Sequence, residues 1–193
     1  MTKLVCLGDS LTEGYGVDKE LAWPALLQEK LHIEVINCGI SGDTTAGMLA
    51  RFYPQVLQFN PSHVIIMGGT NDIWWNVNQN IIQANIQAMT RQAEHNGMVP
   101  VIGLPIPIYP EGVDEAWGPK SGFSRCQKKV AQYVKSLKAQ AKADQFLYLD
   151  FYSLFLNSEG EIIQKYFLDG IHPTEEGHRL MAELAAEKLK SLF

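Results

Sequence analysis

Short runs rich in Val, Ile and Leu alternate along this chain with longer segments whose apolar residues recur every three or four positions. The runs are KLVCLG (3–8), IEVIN (33–37), HVIIMGG (63–69), VPVIGLPI (99–106) and FLYLDF (146–151); the helical segments are 21–31, 44–58, 77–95, 122–143 and 174–192. Strand and helix in strict alternation require parallel strands joined by crossover helices, because a parallel neighbour cannot be reached through a tight turn. Strands apolar on both faces belong in a sheet covered on both sides. The pattern therefore predicts an α/β fold, a three-layer α/β/α sandwich around a five-stranded parallel sheet of flavodoxin-like topology, with right-handed crossovers. The chain has neither internal repeat nor linker, and residues 1–193 are expected to form a single domain.

The remaining bulk properties exclude several classes of function. With 46% hydrophobic and 19% charged residues the composition is globular, and no window approaches the ~18 uninterrupted apolar residues of a membrane span. A net charge of −5 without a basic block argues against a nucleic-acid partner. Cys6, Cys38 and Cys126 are odd in number and lack metal-ligand spacing, which suits reduced thiols. The N-terminal LVCLG is too short for a secretion signal and runs directly into Asp9, so a cytoplasmic protein is expected.

In sheets of this kind ligands bind beyond the carboxyl ends of the strands, so the residues at which each strand ends carry the functional information. The first strand ends in GDS with Ser10, the second in NCGISGDT with Gly39 and Gly42, and the third in GGTND with Asn71. Before the last helix stands DGIHP, with Asp169 and His172. Together these residues supply the parts that acyl transfer needs: a hydroxyl nucleophile, an imidazole base, a carboxylate to orient it, and donors for an oxyanion. Asp169 and His172 are three apart, so carboxylate and ring can meet locally; Gly170 lets the chain bend and Pro173 stiffens the exit. Thr174 is placed to cap the last helix, with Glu175 and Glu176 in its first turn. Glycine turns free backbone N–H groups from ladder bonds, and an amide such as Asn71 adds a donor where a carboxylate would repel developing negative charge.

These blocks resemble the SGNH hydrolases, also called GDSL-type lipases and acylhydrolases. GDSLTEG matches the nucleophile block at Ser10, NCGISGDT the glycine block at Gly42, GTND the asparagine block at Asn71, and DGIHP the acid and base block at Asp169 and His172, in family order across nearly the whole chain. The resemblance implies a flavodoxin-like sandwich, hydrolysis of esters or thioesters through an acyl-enzyme, and no metal or organic cofactor. Ser10, Asp169 and His172 are then the expected catalytic residues, and the Ser10 and Gly42 backbone N–H groups with the Asn71 amide the expected oxyanion hole. The resemblance further implies a small-molecule acyl ester or thioester as substrate; a carbohydrate O-acetylesterase and a catalytically silent binding domain are the alternatives.

Other chemistry-bearing residues have simpler readings. His32, His63, His95 and His178 lack partners at metal spacing and are read as structural. Asp9 and Asp72 are read as turn or hydrogen-bonding residues, and Asp150, the rival carboxylate at the end of the fifth strand, has nothing in the sequence to hold it beside His172. Cys38 is read as a packing residue, and Lys128, Lys135, Lys138 and Lys142 as a solvated helix face. Trp74, Trp75, Tyr109 and Trp117 are placed by the sequence to wall an acyl pocket beside the rim. No nucleotide-binding fingerprint or Gly-x-Ser-x-Gly elbow is present.

Overall fold

The computed structural model describes residues 2–117 and 120–193, without the side chains of Glu115 and Lys120. Gly118 and Pro119, in the stretch between the expected fourth strand and the helical segment 122–143, lie outside the described residues. Five strands, β1 (Lys3–Gly8), β2 (Glu34–Gly39), β3 (His63–Met67), β4 (Val99–Leu104) and β5 (Leu147–Asp150), form one parallel sheet in the order β2-β1-β3-β4-β5. Gly8 pairs in register with Gly39 on one side and Met67 on the other, so three of the four sequence blocks begin at one level of the sheet.

Successive strand residues face opposite layers. Val5, Leu7, Val64, Ile66, Ile102 and Leu104 meet the helices α3 (Thr45–Ala50), α4 (Phe52–Gln55), α6 (Gln79–His95) and α7 (Lys120–Ala143). Leu4, Cys6, Ile65, Met67, Val101 and Leu149 meet α2 (Trp23–Leu31), α8 (Phe151–Leu154) and α9 (Glu175–Leu189). Ile82, Ile86, Met89 and Ala93, which the sequence period puts on one face of α6, are all buried. Of Leu180, Met181, Leu184, Ala185, Leu189 and Leu192, which it puts on one face of the last helix, Met181, Ala185 and Leu189 are buried and Leu180 and Leu184 partly so, while Leu192 lies beyond the end of α9 and is exposed. Each large side chain so buried contributes about 1.5–3 kcal/mol by leaving water. All three cysteines are free and buried.

Boundaries differ from the sequence reading where turn chemistry intervenes. The helix expected over 44–58 is broken at Arg51. Pro54 has no N–H to give a continuous helix, and the restart at Phe52 puts it in a first turn, where none is needed. Two further short helices, α1 (Ser10–Glu13) and α5 (Thr70–Trp74), come directly after β1 and β3. With α8, these one-turn helices were not anticipated; helices this short depend on tertiary contacts rather than on their own periodicity.

Trp23 ties the two ends of the chain together. Its indole N–H donates to Leu11 O in α1 at 3.0 Å, its backbone N–H donates to His178 Nδ1 in α9 at 3.2 Å, and its ring lies 5.3 Å from that of Phe151. The segment carrying Ser10 is thereby fixed against the helix that comes after His172.

Candidate active site

Asp9 initiates α1: its carboxylate accepts from Leu11 N at 3.0 Å and its carbonyl from Thr12 N and Glu13 N, while Gly14 closes the turn in the left-handed region. Ser10 is therefore the first residue of a one-turn helix, where its N–H has no intrahelical acceptor. His172 arrives on a turn pinned from two sides. Leu168 N donates to His172 O at 2.8 Å, and Tyr109 N, from the connection after β4, donates to Gly170 O at 2.7 Å. Gly170 has φ +82°, and a Cβ there would lie 2.5 Å from Tyr109 O, so glycine is required.

This turn sets Asp169, His172 and Ser10 in one chain of hydrogen bonds. Asp169 Oδ2 is 2.7 Å from His172 Nδ1, and His172 Nε2 is 3.0 Å from Ser10 Oγ. The other carboxylate oxygen of Asp169 accepts from the backbone N–H groups of Ile171 at 3.0 Å and His172 at 2.8 Å. Burial pushes the Asp169 carboxyl up, but the hydrogen bonds and charge of His172, with the Ile171 N–H, outweigh it and hold its pKa below the ordinary value. An ionised Asp169 can only accept, so Nδ1 carries the imidazole proton and Nε2 is left to accept from the Ser10 hydroxyl. The Tyr15 ring lies over the imidazole at 4.4 Å and the Trp117 ring meets it edge-on at 6.0 Å.

The glycine block closes the other side of the site. Ile40 N donates to Gly8 O, Ser41 N and Oγ to the Glu13 carboxylate, and Asp43 N to Ile40 O. Gly42, at φ +78°, is left with an N–H that has no acceptor among the described residues. Asn71, in α5, gives one amide hydrogen to Asp43 O at 2.8 Å and has a second to offer. Beneath, Asp72 is buried and accepts from Thr45 N at 2.9 Å and Thr45 Oγ1 at 2.6 Å. Asp9 is also buried, its Oδ2 without a partner among the described residues; burial, only partly offset by the Leu11 N–H, pushes its pKa up to about 7.

A cavity of about 350 Å³ opens over Ser10 and His172. Ser41, Gly42, Thr70 and Asn71 edge it, and its walls are Leu11, Tyr15, Trp74, Ile108, Trp117, Phe123 and Ile171, with no Asp, Glu, Lys or Arg among the described residues that line it. Trp74 and Phe123 stack at 4.4 Å and 12° to form one wall.

Two of the four aromatics placed in the pocket by the sequence reading are elsewhere. Trp75 is 71% exposed and outside the cavity, because adjacent residues near a helix end point about 100° apart and Trp74 takes the inward direction. Tyr109 packs against Phe167 at 6.1 Å and holds the Gly170 turn instead of lining the cavity. Tyr15, Ile108, Phe123 and Ile171 were not anticipated; Ile171, between Asp169 and His172, carried the clearest available signal. Asp150 is far from being the base's partner: it caps α8 through Ser153 N and pairs with Lys138 at 2.6 Å. His178 is buried, accepts from Trp23 N, and is driven by burial and then by the His172 charge down to a pKa of about 4.

Parallel sheet, glycine-bounded rim and this hydrogen-bonded chain place the protein among hydrolytic enzymes of the α/β class, and the comparison with known proteins narrows it. Residues 6–180 match the GDSL-like lipase/acylhydrolase family, and the chain belongs to that family. It is 30% identical to esterase TesA of Pseudomonas aeruginosa over 98% of this chain and 89% of that protein. An arylesterase of Vibrio mimicus is 31% identical, over 97% of this chain and 88% of its own length. The solved structure of a G-D-S-L family protein from Desulfitobacterium hafniense superposes with a TM-score of 0.85 at 30% identity, covering 98% of this chain and all of that one. Among the described residues no helix is long and apolar enough to cross a membrane.

Proposed function

We propose that this protein is a serine esterase that hydrolyses uncharged carboxylic esters through an acyl-enzyme on Ser10. The observation that carries this reading is the unbroken hydrogen-bonded chain Asp169–His172–Ser10 at the floor of an apolar cavity. Ser10 Oγ attacks the acyl carbonyl as its proton passes to His172 Nε2, while Asp169 holds the tautomer and stabilises the imidazolium that forms. The Ser10 and Gly42 N–H groups and the second Asn71 amide hydrogen are the donors available to the tetrahedral oxyanion. His172 then protonates the leaving alcohol; water, deprotonated by the same nitrogen, attacks the acyl carbon, and the acid leaves as the Ser10 oxygen regains its proton.

Walls of Trp74, Phe123, Trp117 and Ile108 favour an apolar acyl or aryl group over the polar ring of a sugar acetate, since a sugar's hydroxyls would lose water against surfaces that return few hydrogen bonds. The test is hydrolysis of p-nitrophenyl acyl esters of increasing chain length by wild type and Ser10→Ala. A loss of about 10³-fold or more in Ser10→Ala, with the folded spectrum kept, is expected. Full activity in Ser10→Ala would refute the mechanism, and a preference for acetylated sugars over every p-nitrophenyl ester would refute the substrate class.

A further inference from the structure

The proposed oxyanion donors come from three separate segments, the start of α1, the glycine turn after β2 and α5, and a single guanidinium lies behind them. Arg51 Nε pairs with the Asp43 carboxylate at 2.6 Å, Nη2 donates to Gly8 O at 2.8 Å, and Nη1 donates to Cys38 O at 2.7 Å and to the Gln55 side chain. Gly8 is two residues before Ser10, and Cys38 lies at the end of the strand that enters the glycine turn. Asp43 comes directly after Gly42, and its carbonyl holds the Asn71 amide. Both the arginine and the Asp43 side chains are largely buried, at 12% and 14% exposure, so water cannot readily replace these bonds.

We propose that Arg51 is a positioning residue for the oxyanion site: one planar, five-donor group sets the spacing between the Ser10, Gly42 and Asn71 donors without touching substrate. The fork geometry is what matters. A lysine ammonium can neutralise Asp43, but it is a point charge on a flexible stem and cannot span Gly8 O, Cys38 O and Asp43 together. The donors would stay present and drift, and displacements of about 1 Å cost a preorganised site much of its effect.

This inference rests on the acyl-enzyme reading, and its test separates the two. Arg51→Lys, Arg51→Ala, Asn71→Ala and Ser10→Ala are compared on one p-nitrophenyl ester for kcat and KM. Ser10 phosphonylation by an uncharged p-nitrophenyl phosphonate is measured alongside, with circular dichroism and urea unfolding to establish the fold. Arg51→Lys, which keeps the charge pair and the fold, is expected to lose about 10- to 100-fold in kcat with KM within about threefold, and to slow phosphonylation in parallel. Arg51→Ala is expected to lose more and to be less stable, because it leaves Asp43 buried without its partner; if it does not fold, the lysine variant decides. Wild-type kcat in a folded Arg51→Lys, or a change confined to KM, would overturn the positioning role while an inactive Ser10→Ala and an impaired Asn71→Ala left the esterase reading standing. An active Ser10→Ala would overturn both.

Discussion

Two buried titratable groups, Asp9 beside Ser10 and His178 in α9, make stability respond to pH in opposite directions, and removing either one exposes the other. Asp9, facing His172, Asp72 and Asp43, is raised from 3.8 to about 7, so the native state binds a proton there that the unfolded chain has lost. Its contribution is full below about pH 4 and falls as pH rises to about 7. His178, facing His172, is lowered from 6.5 to about 4, so the unfolded chain binds the extra proton. Its contribution is full above about pH 6.5 and falls as pH drops towards 4. At about 1.4 kcal/mol per pH unit, the span from pH 5 to pH 9 costs about 3 kcal/mol through Asp9 and returns about 2 kcal/mol through His178. The wild type is therefore expected to show a nearly level urea-unfolding free energy over that range. Asp9→Asn keeps an acceptor for Leu11 N and cannot ionise; its stability should climb by about 2 kcal/mol between pH 5 and 7 and then level off. The comparison is internal to each variant, so any constant cost of an unpaired amide hydrogen drops out. Parallel pH profiles for wild type and Asp9→Asn would refute the argument, since Asp9 would then be ionised in the native state throughout.

Three further outcomes are expected from the geometry. Asn71→Ala should lower kcat by about 10²- to 10³-fold with a folded spectrum, as loss of one preorganised oxyanion donor does elsewhere, checked by steady-state kinetics. Trp74→Ala removes half of the Trp74–Phe123 wall and should shift the p-nitrophenyl ester preference to longer chains, by about tenfold or more in relative kcat/KM, the worth of one or two newly buried methylenes. Gly170→Ala forces a Cβ to within 2.5 Å of Tyr109 O at φ +82°; a loss of about 2 kcal/mol or more is expected in urea unfolding, together with reduced turnover because the His172 turn must move.

The sheet was legible because its signal is redundant: five apolar runs, each separated from the next by a segment of helical period, leave few other arrangements for strands buried on both faces. Strand direction put Ser10, Gly42 and Asn71 on one rim, and the DGIHP block before the last helix added Asp169 and His172; Ser10, Gly42, Asn71 and His172 border one cavity, with Asp169 bonded to His172. The features that escaped depend on a single turn of backbone. α1, α5 and α8 are four or five residues long and carry no measurable period, and the break at Arg51 turned on one missing N–H at Pro54. The pocket walls were half legible for the same reason. Trp74 and Trp75 are equivalent in a sequence and diverge only once a one-turn helix fixes their directions; Tyr15 stands just past the nucleophile block, and Phe123 reaches the cavity from a segment without a motif. Arg51 looked like an ordinary helix residue until the break turned it behind the glycine turn.

Ser10 and His172 touch across 162 positions of the chain. A ribosome delivers the hydroxyl together with β1, but the imidazole that would activate it emerges only after all five strands of the sheet have been made. Until the last turn docks under Tyr109 and α9 closes on Trp23, a nascent or misfolded copy holds a serine with no base beside it. On this account a copy in which the His172 turn has not docked is chemically silent, so that ester turnover is itself a sensitive gauge of how much of a preparation has finished folding.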